Sequence, residues 1–149
     1  MSQDGELIHG TCISLRADAA ILKGASGSGK SDLALRFILG TPAELGPALI
    51  ADDQINVLAK NGALFASAPA TIAGRIEVRG IGIVSLPHRE QARVRLIVQL
   101  VDHDDIPRLP PSPLPSEIVC GIALPVLALS PFEPSAHLKL RLALQTRVW

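Results

Sequence analysis

Gly24-Ala25-Ser26-Gly27-Ser28-Gly29-Lys30-Ser31 stands between a short apolar run, Ala19 to Leu22, and a segment whose apolar residues Leu33, Ala34, Phe37 and Ile38 share one helical face. The run reads as a strand and the segment as a helix over roughly residues 30–39, stopped by Gly40 and Pro42. Glycine, four residues, then Gly-Lys-Ser in that setting is the phosphate-loop pattern. Its glycines let consecutive backbone N–H groups turn inward around a phosphate, and the helix N-terminus adds the positive end of its dipole. Lys30 supplies a point charge toward the outer phosphates, and Ser31 offers a hydroxyl to Mg²⁺. A strand, a phosphate loop and a helix in this order predict an α/β fold.

On either side the pattern is mostly β. Leu7 to Leu15 reads as a strand, and Pro47 to Ala51 as a buried one ending at Asp52 and Asp53. Asn61-Gly62 between Ile55–Ala59 and Ala63–Ser67 is a strong hairpin signal, which adds antiparallel strands to the sheet. Arg93 to Val101 alternates, with Val94, Leu96, Val98 and Leu100 on one face, and leads into Asp102-His103-Asp104-Asp105. Five prolines, at 107, 110, 111, 113 and 115, make the next stretch an extended loop. Glu117 to Leu129 is β-like, broken by Gly121 and Pro125, and Pro134 signals a C-terminal helix. No internal repeat is visible, and residues 1–149 read as one domain with a mixed sheet and flanking helices.

Composition narrows the function. Fourteen Lys and Arg against fourteen Asp and Glu leave no broad basic field, and Phe37, Phe65, Phe132 and Trp149 are the whole aromatic set, so nucleic acid is not an expected partner. No apolar run approaches the roughly 20 residues of a membrane span. Without a signal region, the cytoplasm is the expected compartment, and Cys12 and Cys120 read as reduced packing thiols. His88, His103 and His137 lack metal-ligand spacing.

Ligands gather at the carboxyl ends of strands in an open α/β sheet, which sets Asp52 and Asp53 beside the loop. Phosphoryl transfer needs one carboxylate to hold Mg²⁺ and often a second to orient or deprotonate the attacking hydroxyl, and adjacent acids suit both roles. Glu77 and Arg79 share one face of an extended segment, either as a Mg²⁺ ligand beside a phosphate-charge stabiliser or as a surface ion pair. His9, in the first strand, reads on its own as a structural histidine.

Four segments in order, Ile8-His9-Gly10, Gly24 to Ser31, Ala51-Asp52-Asp53 and Ile76-Glu77-Val78-Arg79-Gly80-Ile81-Gly82-Ile83, resemble the catalytic domain of the HPr kinase/phosphorylase family. That family phosphorylates a serine of the phosphocarrier HPr, and its fold is a P-loop domain related to phosphoenolpyruvate carboxykinase. The resemblance is clear over residues 7–86 and is to the short alphaproteobacterial form, which has the catalytic domain only. It implies that Asp52 is general base toward the HPr serine and general acid in phosphorolysis. It further implies that Ser31, Asp53 and Glu77 serve Mg²⁺, that Lys30 holds the β- and γ-phosphates, that His9 sits near the transferring phosphate, and that Arg79 neutralises developing charge. ATP and Mg²⁺ as cofactors, an HPr-like partner and a homo-oligomer follow from the same likeness. The stretch from Leu86 to Arg95 is short and does not match the longer flexible arginine loop of the family, for which Arg89, Arg93 and Arg95 are the candidate substitutes, and Pro134-Ser135-Ala136-His137 replaces the Pro-Gly-Arg-Asn helix start of long members. Two other readings stay open, a nucleotide-binding sensor without transfer and a small-molecule P-loop kinase.

Overall fold

The computed structural model describes residues 5–149. Its strands are β1 (Gly5–His9), β2 (Thr11–Leu15), β3 (Asp18–Lys23), β4 (Pro47–Ala51), β5 (Gln54–Lys60), β6 (Ala63–Ser67), β7 (Arg75–Val78), β8 (Gly82–Ser85), β9 (Gln91–Leu100), β10 (Ser116–Val119) and β11 (Ile122–Leu129). The helices are α1 (Lys30–Gly40) and α2 (Ala136–Thr146).

Nine strands form one mixed sheet in the order β1-β5-β6-β9-β3-β2-β4, with β11 on β9 and β10 on β11. The long strand β9 organises it. One edge of β9 pairs with β3, while the other carries β6 along Gln91–Arg93 and β11 along Ile97–Leu100. Strands β3, β9 and β11 are parallel. Strand β2 runs antiparallel to both β3 and β4, so β3 and β4 point the same way and end on the same rim.

Helices α1 and α2 cover one face, where Leu33, Phe37, Leu140 and Leu144 meet Ile13, Leu22, Leu49, Leu96 and Val98. On the opposite face Cys12, Ile21 and Ile97 meet Ile55, Val57 and Leu64 from the β5–β6 hairpin, and Val119 and Leu124 from β10–β11. Side chains from both wings share that second core because the sheet curls around it.

The expected single strand Leu7–Leu15 is two strands. Gly10 has φ +153°, and a Cβ there would lie 2.9 Å from the Leu22 carbonyl oxygen. The chain therefore turns at Gly10, sending β1 to pair with β5 while β2 stays between β3 and β4. The one-face reading of β9 also fails: its register against β3 shifts between Ala19 and Ala20, leaving Arg95 as the extra residue. Val94 then faces the second core while Leu96, Val98 and Leu100 face the helices, and Ile97 is buried as well.

Asn61 and Gly62, both at positive φ, make the expected two-residue hairpin. Cys120 and Gly121 make another, so the break at Gly121 is the turn joining β10 to β11. Residues 75–83 are a separate two-stranded ribbon, β7–β8, rather than one extended segment, and Arg79 falls in its turn. Helix α1 ends at Gly40, one residue past expectation. In α2 the buried residues are Ala136, Leu140, Ala143 and Leu144 while Leu138 and Leu142 are exposed, which is helical spacing.

Candidate active site

The rim where β3 and β4 end and β2 begins gathers most of the expected residues. Gly27 and Gly29 carry φ of +80° and +93°, a left-handed backbone that a side chain would strain. A Cβ at Gly24 would meet Ser28 Oγ at 2.5 Å, so this glycine permits the tight fold of the loop on itself. The Ser28 N–H donates to the Ala25 carbonyl at 3.0 Å, and the Leu33 N–H to that of Gly29 at 2.9 Å as the first helical bond. Gly29 caps α1 without a side-chain bond, which leaves the first-turn N–H groups pointing into the loop. The Lys30 ammonium folds back across the loop and donates to the carbonyls of Gly24 (2.8 Å) and Ala25 (2.9 Å).

Asp52 answers this loop from the end of β4. Ser31 Oγ donates to Asp52 Oδ1 at 2.8 Å, and Thr11 Oγ1, fully buried at the start of β2, donates to the same oxygen at 2.9 Å. Asp53 follows in the left-handed conformation at φ +68°, which its short polar side chain tolerates better than most. Its carbonyl accepts the Gly10 N–H at 3.1 Å, so the Gly10 break and the Asp52-Asp53 turn hold each other. Asp53 Oδ1 lies 3.9 Å from His9 Nδ1, with both side chains more than three-quarters exposed, a pairing worth little in water.

His9, Lys30, Ser31, Asp52 and Asp53 thus occupy one rim. Glu77 and Arg79 lie on the β7–β8 ribbon, whose Ile76 is buried in the core beneath α1. Both are exposed, and among the described residues neither is joined to the rim by a hydrogen bond or ion pair. Among those residues no group of three or more His, Cys, Asp or Glu forms a metal-holding cluster. The hard oxygens of Ser31 and Asp53 on this rim still fit Mg²⁺, which takes few protein ligands when substrate phosphates supply the rest.

Thr11 is the contributor missed in the sequence. A single hydroxyl at the head of an apolar strand carries no motif, and only the fold brings it to Asp52.

Of the other histidines two have hydrogen-bond partners, and the third, His137, has a buried Nδ1 without one among the described residues. His88 Nδ1 lies 3.3 Å from the Leu86 carbonyl, His103 Nδ1 pairs with Glu133 at 2.6 Å, and His137 packs where a Gly40 side chain would be. Cys12 is a free, buried thiol, and burial pushes it up, out of the reactive range. No helix is long and apolar enough to cross a membrane, among the described residues.

A curled mixed sheet with two helices on one face, and a glycine-rich strand-to-helix turn facing an aspartate from the next parallel strand, define a mixed α/β domain with its polar groups gathered at one rim. The HPr Serine kinase C-terminal domain model matches residues 3–119, and the chain belongs to that family. It is similar to the HPr kinase/phosphorylase of Lactobacillus acidophilus (31% identity, 65% of this chain and 31% of that protein). The Geobacter sulfurreducens HPr kinase/phosphorylase is 28% identical over 88% of this chain and 42% of its own length. The solved structure of the Hpr(Ser) kinase/phosphatase from Coxiella burnetii superposes with a TM-score of 0.79 at 25% identity, covering 95% of each chain. The chain spans less than half the length of these two curated relatives.

Proposed function

We propose that this chain is a Mg²⁺-dependent ATP:protein serine phosphotransferase that acts on an HPr-type phosphocarrier in the cytoplasm and works as a homo-oligomer. Family membership supports the activity, and the observation that carries it is the hydrogen bond from Ser31 of the loop to Asp52. It sets a carboxylate beside the place where a phosphate chain would lie.

Residues 24–31 hold the nucleotide through their backbone N–H groups, and Lys30 leaves its two carbonyls for the β- and γ-phosphates. Ser31 and Asp53 on the rim, with Glu77 from the ribbon, would hold Mg²⁺, which would supply charge neutralisation on the transferring group. Asp52 takes the proton of the carrier serine as its oxygen forms the bond to the γ-phosphorus, and the bond to the bridging oxygen breaks to release ADP. In the reverse sense a phosphate oxygen attacks the phosphoserine phosphorus and the bond to the serine oxygen breaks, giving pyrophosphate, while Asp52 returns the proton to that serine oxygen. His9 contacts the transferring phosphoryl group, and Arg79 offsets developing charge from the ribbon. The partners are the carrier and small phosphates, with no nucleic acid and no membrane.

The test is transfer from γ-labelled ATP and Mg²⁺ to purified HPr by the wild type and Asp52→Asn side by side. Serine labelling that is lost in the variant while nucleotide binding persists is the expected result. Tight Mg²⁺-nucleotide binding without transfer would overturn the reading in favour of a sensor, and labelling of a small molecule instead would make the chain a small-molecule kinase.

A further inference from the structure

The chain has few rings, and they are not equally placed. Phe37 is fully buried, Phe65 and Trp149 are half-buried, and Phe132 is 73% exposed. Exposing so large an apolar group has no folding benefit. A lone exposed residue needs no explanation by itself, but the position of this one does. Its ring carbons lie 3.4 and 3.6 Å from where a Gly29 Cβ would stand, against the residue that caps α1 and closes the phosphate loop. Pro131 lies equally close, at 3.3 Å.

The segment that carries the ring is fastened at several points. Arg36, paired with Asp32 one turn earlier on α1 at 2.9 Å, donates to the carbonyls of Pro131 and, at 3.2 Å, Glu133. The Glu133 carboxylate is gripped by Lys139 of α2 and by His103. Prolines at 131 and 134 flank the segment, each with its own φ fixed by its ring. The backbone under Phe132 is thus tied along the first turns of α1, with the ring left toward solvent.

Resting on the nucleotide reading above, we infer that Phe132 is the base platform of the site, stacking against the nucleobase of a nucleotide whose phosphates lie in residues 24–31. The base of such a nucleotide must lie beside the loop, and the exposed ring of this chain stands there. A ring held in place before binding loses little freedom when a base covers it, and stacking accepts any base because each has a π-face.

The experiment compares Mg²⁺-ATP with Mg²⁺-tripolyphosphate, which has the phosphates without the base, by calorimetry on the full chain as wild type, Phe132→Ala and Phe132→Trp. Phe132→Ala should bind ATP about tenfold more weakly, with tripolyphosphate affinity unchanged. Phe132→Trp should restore ATP binding. Unchanged ATP binding in Phe132→Ala overturns the inference alone, as does an equal loss for both ligands, which would make the ring a prop for the loop. A wild type that binds neither ligand overturns the nucleotide reading and this inference with it.

Discussion

Ser31 donates its hydroxyl to Asp52 Oδ1 at 2.8 Å, joining the first turn of α1 to the end of β4. The bond exists because β2 lies antiparallel between β3 and β4 and so turns their carboxyl ends to one rim. A loop that follows β3 and an acid that follows β4 then meet with only one strand between them. The polar groups of the rim are ordered by backbone topology, and the side chains complete a placement already made.

Ser31→Ala removes the hydroxyl from this pair and, on the proposed mechanism, one of the oxygens offered to Mg²⁺. At fixed ATP, the Mg²⁺ concentration giving half-maximal HPr phosphorylation should rise about tenfold. The check is a Mg²⁺ titration of initial rate. An unchanged midpoint would show that the serine serves only to orient Asp52.

Thr11→Val keeps the shape of a fully buried side chain and deletes the second donor to Asp52 Oδ1. A hydrogen bond to a charged group contributes about 1.5–3 kcal/mol, so kcat for HPr phosphorylation should fall by at least about tenfold. KM for ATP should hold, because the Thr11 hydroxyl bonds Asp52 and not the loop. Thr11→Ser keeps the donor and should recover most of the rate, which steady-state kinetics on the three proteins would show.

These two hydroxyls mark the boundary of what the sequence discloses. Ser31 is legible because it sits in a motif whose spacing is imposed by a phosphate and a helix end. Asp52 is legible because a buried run stops at it. Thr11 has no local signature, since its role depends on the pairing of β2 with β3 and β4, a long-range property. The break at Gly10 and the extra residue Arg95 were hidden for a similar reason. A local alternation cannot show that one residue in a strand lacks a partner, and at Arg95 the shift turns Val94 to the opposite core from Leu96. Hairpins turned by Asn61-Gly62 need only two residues of the right backbone preference, and that one was read directly. Glu77 and Arg79 carried a recognisable segment, but their ribbon lies apart from the main sheet.

Gly10→Ala should damage fold and site together. The new methyl would meet the Leu22 carbonyl at 2.9 Å in a conformation L-residues rarely adopt, and the Gly10 N–H that holds the Asp53 carbonyl would shift with it. A loss of about 2 kcal/mol or more is expected from backbone strain of this kind. Denaturant unfolding gives the loss, and a larger relative drop in HPr phosphorylation than in folded fraction would show that the Asp52-Asp53 turn has moved. Gly62→Ala serves as the control, because positive φ is strained there too but no atom lies within 4 Å of the added carbon.

Glu133 links the segment beside the loop to stability at acid pH. The Lys139 hydrogen bond first, and the His103 bond second, hold its carboxyl below the ordinary glutamate value of 4.5. A carboxyl whose folded value is depressed binds its proton more readily in the unfolded chain. Its contribution is therefore complete above about pH 4.5 and is lost as pH falls through the lower folded value. Glu133→Gln cannot ionise, so the wild type should be the more stable by a constant margin at neutral pH, with the margin shrinking below pH 4.5. Thermal unfolding of both proteins from pH 7 to pH 3 measures this directly, and a margin independent of pH would show that Glu133 acts through packing and not through its charge.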